Sequence, residues 1–413
     1  MRHVLADKRA KRLAALVFNR GAAQGLVFLS TIVAAKHIAP SEFGQAGLFT
    51  SLCSFLAMAS SLRFEIRALV ARTPGERNRL FGLAYFSNTL FLGVAGILVA
   101  VLTAAGLVAS WAWFIPAGMV LVSFVQYVFP AQHSKIEQVS RLGWMTQLVA
   151  VVTASSQILS ALYRPTATAL IVGRLVAWML GAIFMARAIL DGVRGARRLT
   201  VSRTLLLLKA SKREITYGVP AAVVSVLTLQ VPVYVYAFHS MPAAIGIYWL
   251  AFNLLFMPYL IVSSSIRPIF LRSISRSPDP SLLAHKLRKL TAVALTVGVA
   301  ASVLATFACF LLARFFLPQQ WQDAPVYAAM LSLLLTSLVA QTPISFAIPL
   351  VQLQRFNFVG GILQVLARAI AMLLVLRITG NAVHAIAAFS VISAAGYVVY
   401  IFLFFRFLRI PQR

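Results

Sequence analysis

The chain is poor in acid. Its 413 residues hold 9 Asp and Glu against 37 Lys and Arg, for a formal net charge of +28. Charged residues of both signs make up only 11%, roughly half the share usual in soluble domains. With 61% hydrophobic residues, a water-soluble core could not hide the apolar surface, so lipid must cover it. Cysteine is scarce as well. Cys53 and Cys309 both fall within apolar runs and read as packed thiols, which excludes a disulfide framework and a cysteine-based metal centre. Carboxylate pairs, zinc-ligand spacings and phosphate-binding loops are missing, and the outer loops are too short to house an active site. An enzyme is therefore not expected, and neither is a catalytic residue, a metal or a cofactor.

What is present is a succession of long apolar runs. Twelve occur, at roughly 13–36, 43–62, 80–104, 109–131, 141–162, 166–187, 215–237, 243–266, 290–313, 326–350, 357–377 and 383–405. Each is close to the ~20 residues that span a ~30 Å hydrocarbon core, and the longer ones imply tilt or kinking. The expected fold is an all-α polytopic membrane protein of twelve transmembrane helices.

The basic residues orient it. With alternating helices and a cytoplasmic N-terminus, 30 of the 37 Lys and Arg fall on the cytoplasmic side and 4 on the other (Lys36, Arg164, Arg314 and Arg377). Arg20, Arg174 and Arg368 are left inside the predicted helices. Both termini are thus expected to be cytoplasmic. Positive-inside topology accounts for the charge without nucleic acid, so no nucleic-acid partner is expected. The basic start and the long first apolar run argue against a cleavable signal peptide.

The runs divide six and six, giving an N-terminal lobe over 1–190, a basic cytoplasmic linker over 191–213 and a C-terminal lobe over 214–413. The segment from Arg194 to Arg213 reads equally as a basic amphipathic stretch on the inner leaflet, drawn by anionic lipid, or as a charged linker. A short pattern, HxxPxxxG, follows both the first helix (His37, Pro40, Gly44) and the seventh (His239, Pro242, Gly246). The two copies enter from the same side, so the lobes are expected to form a parallel repeat about a pseudo-two-fold axis, with a substrate path between them.

The intramembrane arginines are the sharpest signal. Each costs ~2.5–3.5 kcal/mol on an insertion scale when it faces lipid, so each should face water or a partner. Arg20 and Gln24 share a helical face, as do Arg174 and Trp178, and Gln364, Arg368 and Asn357. At ~1.5 Å per residue, Arg20 lies ~10 Å in from the cytoplasmic end, Arg368 ~16 Å in and Arg174 ~12 Å from the outer end. Arg20 is also shallow enough to snorkel to the interface. No acidic residue lies mid-helix; Glu65 sits between Arg63 and Arg67 at a helix end, where an interfacial ion pair is the plain reading. Guanidinium without carboxylate suits an anionic cargo such as phosphate or pyrophosphate. Pro220, Pro232, Pro258 and Pro343 interrupt helices of the second half and are candidate gating points or static kinks. Tyr234, Tyr236, Tyr248 and Trp249 lie around an outer turn and read as an interfacial aromatic belt or a sugar platform.

Three stretches carry a family likeness: FNRGAAQGLVFLSTIVAAKHIAPSEFGQAGLFTSL at 18–52 with SSLRFE at 60–65, the segment 218–270 beginning GVPAAVVSVLTLQVPVYVYAF, and FFLPQQW at 315–321. In these the chain resembles the bacterial polysaccharide-unit flippases (Wzx-type, polysaccharide transporter family) of the multidrug/oligosaccharidyl-lipid/polysaccharide exporter superfamily. The resemblance implies movement of undecaprenyl-pyrophosphate-linked oligosaccharides across the bacterial inner membrane for surface or exopolysaccharide, by alternating access of a cationic cavity. It implies a lipid-linked oligosaccharide, membrane lipids and other polysaccharide-assembly proteins as partners. Arg20 and the Arg63/Glu65 pair match the family's pattern, whereas Arg174 and Arg368 rest on the burial argument. The expected substrate-binding set is Arg20, Gln24, Arg63, Arg174, Gln364 and Arg368. Within the same superfamily, a cation-coupled multidrug exporter requires an embedded acid, and a lipid II flippase differs only in cargo.

Overall fold

The computed structural model describes residues 21–69, 71, 73–133, 139–197, 200–212, 214–256, 259, 280–348 and 354–408. Arg20 and Pro258 lie outside the described residues. The described chain is helical throughout. Among the described residues ten helices are long and apolar enough to cross a membrane, which makes this a multi-pass membrane protein. They are Pro40–Ser60 (α2), Pro74–Ala104 (α4), Ser110–Gln132 (α5), Val139–Tyr163 (α6), Ala167–Phe184 (α7), Glu214–Phe238 (α10), Pro280–Phe315 (α12), Ala324–Ala347 (α13), Gln354–Thr379 (α14) and Ala382–Leu408 (α15). Helix 21–37 (α1) and the shorter Pro242–Phe256 (α11) fall in the other two expected spans. Phe64–Leu69 (α3), Ala186–Arg197 (α8) and Val201–Ala210 (α9) are short.

Local chemistry sets the helix ends. Pro40, Pro74 and Pro280 open helices at first-turn positions, where the missing N–H has no intrahelical use. Thr73 caps α4 by accepting from the Glu76 amide (3.1 Å), and Thr166 caps α7 from Ala169 (3.3 Å). Gly380 ends α14 at φ +63°, its amide donating to Leu376 O (2.8 Å), a left-handed cap that favours glycine. The two π-helical stretches, Phe124–Val128 and Glu214–Gly218, each run up to a proline, Pro130 and Pro220. A proline ring collides with the carbonyl four residues back, and the widened turn relieves that clash.

Helix α4 shows the lipid signature. Phe86, Leu90, Val94, Ile97 and Val101 form a stripe at three- and four-residue spacing and are 58–69% exposed. Ser87 and Asn88 are buried instead, bonded to Ser60 and to the helix's own carbonyls. Apolar outside and polar inside is the arrangement a bilayer selects. Elsewhere Thr31, Thr50, Thr103, Thr146 and Ser393 return their hydroxyls to the carbonyl four residues back, which satisfies them within one helix.

The chain forms two compact units. Unit 1 comprises residues 1–38 and 45–227; unit 2 comprises 39–44 and 228–413. The change-over therefore falls inside α10, whereas the expected lobes part at the linker 191–213. That linker is largely helical, as α8 and α9. In unit 1, α4 packs on α8, and α6 on α7. In unit 2, α13 packs on α12 and α15, and α14 on α15. The core of unit 2 includes Trp321, edge-on to Phe43 at 5.7 Å between ring centroids, and a cluster of Leu287, Ile344, Ala347, Tyr400 and Phe404.

The two HxxPxxxG copies meet inside unit 2. A Cβ on Gly44 would overlap the carbonyl oxygen of Pro242, and a Cβ on Gly246 would overlap that of Pro40. The first turns of α2 and α11 thus cross backbone to backbone, each glycine lying against the other copy's proline. Only residues without side chains permit such an approach. Tyr236 and Tyr248 are fully buried, donating to Ala382 O (2.7 Å) and Leu229 O. This overturns their reading as belt or sugar platform: their hydroxyls close main-chain gaps in the core.

Candidate functional site

Arg368 sits on α14 and is completely buried. Its Nη1 donates to Thr228 O (2.9 Å) on α10, and its Nη2 to Gln364 Oε1 (3.0 Å) one turn back. The guanidinium carbon lies 4.9 Å from the Tyr397 ring centroid and 5.8 Å from that of Phe389, both on α15. The Nε has no hydrogen-bond partner. The expected i,i+4 pairing of Gln364 with Arg368 is thus present. Asn357, expected on the same stripe, accepts from Tyr400 (2.9 Å), which like Tyr397 belongs to α15. In this conformation Arg368 faces protein partners and not a wet passage. Its partners among the described residues are neutral oxygens and ring faces, and none of these cancels its positive charge. Desolvating such a charge costs several kcal/mol, offset by charged hydrogen bonds of ~1.5–3 kcal/mol each and by ring contacts of ~2 kcal/mol when dry.

Arg174 on α7 is half-buried, and its Nη1 donates to the Thr50 hydroxyl of α2. One turn along the same helix, Trp178 stacks on Phe49 at 6.4 Å. At Phe49, α5 also packs tightly on α2: a Cβ at Gly118 would lie 2.6 Å from Cys53 Sγ and 2.8 Å from the Phe49 ring. Here too the guanidinium meets a neutral oxygen. Gln24 is half-buried on α1. Further along α1, Ser30 and Thr31 reach Gln157 Oε1 on α6 (2.6 and 3.5 Å). These buried polar partners were missed, although isolated Ser, Thr and Gln within apolar runs are their sequence mark.

Arg63 lies in the turn between α2 and α3. Leu62 and Arg63 adopt φ +49° and +61°, the left-handed region that costs a non-glycine residue ~1–2 kcal/mol. Arg63 Nη1 contacts Met58 Sδ at 3.5 Å. The expected ion pair with Glu65 does not form. Ion pairs form instead between Arg67 and Glu214 (3.8 Å) and between Arg194 and Asp191 (3.4 Å). Past the reversed turn Glu65 folds inward to 2% exposure, and one of its carboxylate oxygens has no partner among the described residues. Burial raises the Glu65 pKa above the usual carboxylate range, and the neighbouring Arg63 lowers it less.

Of the prolines, Pro232 and Pro343 are buried inside α10 and α13, and Pro220 follows the π-helical turn of α10. Among the described residues no group of three or more His, Cys, Asp and Glu is placed to hold a metal. Arg174 lies in unit 1 and Arg368 in unit 2. Each is held locally by its own neighbours.

No family model matches the sequence, and no curated protein matches it closely enough to align. Solved structures do match in three dimensions. The lipid II flippase MurJ, in an inward closed conformation, shares 13% identity over 94% of this chain and 87% of its own, with a TM-score of 0.67. A multidrug resistance MATE family transporter of the MOP superfamily, in an inward-facing conformation, shares 9% identity over 96% of this chain and 100% of its own, with a TM-score of 0.59. A MATE in complex with MaD3S shares 12% over 97% of this chain and 96% of its own, with a TM-score of 0.59. At such low identity the likeness is one of fold alone: the helices of this chain are arranged as in those structures.

Proposed function

We propose that the protein is a flippase that moves undecaprenyl-pyrophosphate-linked oligosaccharide repeat units across the bacterial inner membrane, for surface polysaccharide or exopolysaccharide. The observation that carries this reading is Arg368, a fully buried guanidinium held by neutral oxygens and ring faces. A protein keeps an uncancelled charge in its membrane core at a cost in stability, and binding an anion is the use that fits. The pyrophosphate would face a large penalty in bare hydrocarbon. Fixed guanidinium groups lower that penalty while the polyprenyl tail stays in lipid. Arg20, Gln24, Arg63, Arg174, Gln364 and Arg368 are the proposed cargo contacts. Thr228 O and the Tyr397 ring hold Arg368 in place, and Pro220, Pro232, Pro258 and Pro343 are the proposed bending points.

A second reading, a lipid II flippase, is favoured by the likeness to MurJ and shares the anionic pyrophosphate. Cation-coupled drug export fits less well, because the sequence places no acid mid-helix. Deleting the gene tests the readings. Loss of surface polysaccharide with lipid-linked repeat units retained on the inner leaflet supports the first. Accumulation of lipid II with cell lysis supports the second. Complementation then tests the site: Arg368→Gln, expressed at the wild-type level, should restore no polysaccharide. Normal output from that variant would remove Arg368 from the mechanism.

A further inference from the structure

A second cationic site lies within unit 1, apart from the proposed cargo residues. A cavity of about 560 Å³ is lined by Arg77 and Arg79 at the start of α4, Arg141 at the start of α6, and Arg187 and Arg194 on α8. Asp191 is the carboxylate among the lining residues, so five arginines against one aspartate leave a surplus of four positive charges. The Asp191–Arg194 pair is 3.4 Å apart with both side chains well exposed, and it offsets little.

The cavity is built, not a loose charged face. Helix α8 docks on α4 through glycines. A Cβ at Gly195 would overlap Asn78 O, one at Gly192 would overlap the Tyr85 ring, and one at Gly82 would sit 2.5 Å from the Ala196 nitrogen. Gln132 at the end of α5 ties the walls together. Its Nε2 donates to Ala188 O (3.1 Å), its Oε1 accepts from Tyr85 (3.1 Å), and its own carbonyl accepts from Arg77 Nη2 (2.8 Å). His133 beside it is buried; burial above all, with Arg141 and Arg77 adding to it, holds its pKa below the ordinary imidazole range. On α7 and α8, Phe184, Leu190 and Val193 are apolar and exposed.

We propose that this cavity binds the phosphate headgroup of an anionic phospholipid, with room for two phosphates, at the membrane end that the basic residues mark as cytoplasmic. Guanidinium groups suit phosphate oxygens through paired N–H donors. Basic pockets at the ends of spans take multiply charged lipid headgroups. The lining comes from the ends of α4, α5 and α6 and from α8, which follows α7, so the cavity lies at headgroup depth. The exposed apolar residues of α7 and α8 offer the acyl chains a surface. This site does not depend on the flippase reading, and its test does not read transport.

The full chain is reconstituted in nanodiscs of phosphatidylcholine doped with diphosphatidylglycerol, and retained lipid is counted by native mass spectrometry. The wild type should hold the dianionic lipid. Arg141→Gln with Arg187→Gln should weaken retention roughly 25-fold, at ~5-fold per lost charge, while the double Lys variant keeps most of it. Should the double Gln variant fail to fold, Arg187→Gln alone should weaken retention ~5-fold. Lys209→Gln with Lys212→Gln removes two basic charges elsewhere and should leave retention unchanged. Equal loss in that control, or no loss in the Arg variants, would overturn the proposal. In phosphatidylcholine alone, inorganic pyrophosphate binding that depends on the same arginines, with no preference for the lipid, would assign the site to a soluble phosphate compound and overturn the lipid assignment.

Discussion

The crossing of Gly44 and Gly246 gives the sharpest quantitative expectation. In Gly44→Ala the new methyl overlaps Pro242 O and sits 2.8 Å from the Gly246 nitrogen. Both are main-chain atoms and cannot rotate away. To restore a C···O contact of ~3.3 Å the two helix starts must part by more than ~1 Å. Overpacking of this kind costs ~1–3 kcal/mol, and the rigid neighbours place this case near the upper end. At ~2–4 °C per kcal/mol for a unit of this size, Tm should fall by roughly 6–12 °C. Gly246→Ala should behave alike, because its methyl meets Pro40 O. The double variant is the discriminating one. Once the first methyl has forced the turns apart, the second enters space already opened, so the double cost should fall short of the sum by ~1–3 kcal/mol. Trp321, packed against Phe43 beside Gly44, supplies a fluorescence reporter for thermal unfolding in detergent. Gly93→Ala, where no atom lies within 4 Å, is the control and should shift Tm little. Strict additivity of the two alanine costs, or a wild-type Tm for Gly44→Ala, would refute the reciprocal crossing.

Thr50→Val removes the acceptor of the Arg174 hydrogen bond at nearly constant volume, and should cost ~1.5–3 kcal/mol in thermal or denaturant unfolding. Glu65 should make stability depend on pH. Its folded pKa is raised, so the native state binds the extra proton. That contribution is fully present below the ordinary Glu value of ~4.3 and is lost as pH rises through the raised value. Glu65→Gln should therefore flatten the fall of Tm with rising pH and melt above the wild type in alkaline buffer. Arg368→Met exchanges a buried charge for an apolar side chain of similar length. It should change folding stability by less than ~2 kcal/mol, since desolvation and the lost contacts nearly cancel, yet abolish polysaccharide complementation. A Tm collapse would instead make Arg368 a structural anchor.

Much of the architecture was legible before any coordinates. A bilayer requires about 20 consecutive apolar residues per span, and so the ten long helices fall where the runs predict. The Gln364–Arg368 pairing was legible too, because i,i+4 neighbours on a helix meet whatever the tertiary fold. The Arg63–Glu65 ion pair was not, because it presumes a helical or extended turn. The left-handed φ at Leu62 and Arg63 breaks that geometry. Tyr236 and Tyr248 were misread because an interfacial belt and a hydrogen-bonded core use the same residue type.

By itself the sequence determined the spans, the scarcity of acid and the recurrence of HxxPxxxG. All three are properties of composition and local spacing. Tertiary structure decided that the two copies interlock, that Thr228 and Tyr397 hold Arg368, and that α8 docks on α4 to gather five arginines around one cavity. The reason is physical. In lipid, a helix face that packs on protein and a face that meets acyl chains are equally apolar, so the pattern along the chain does not mark which face finds which partner. Close contact of glycines and the few buried polar groups makes that choice, and both act between residues far apart in sequence.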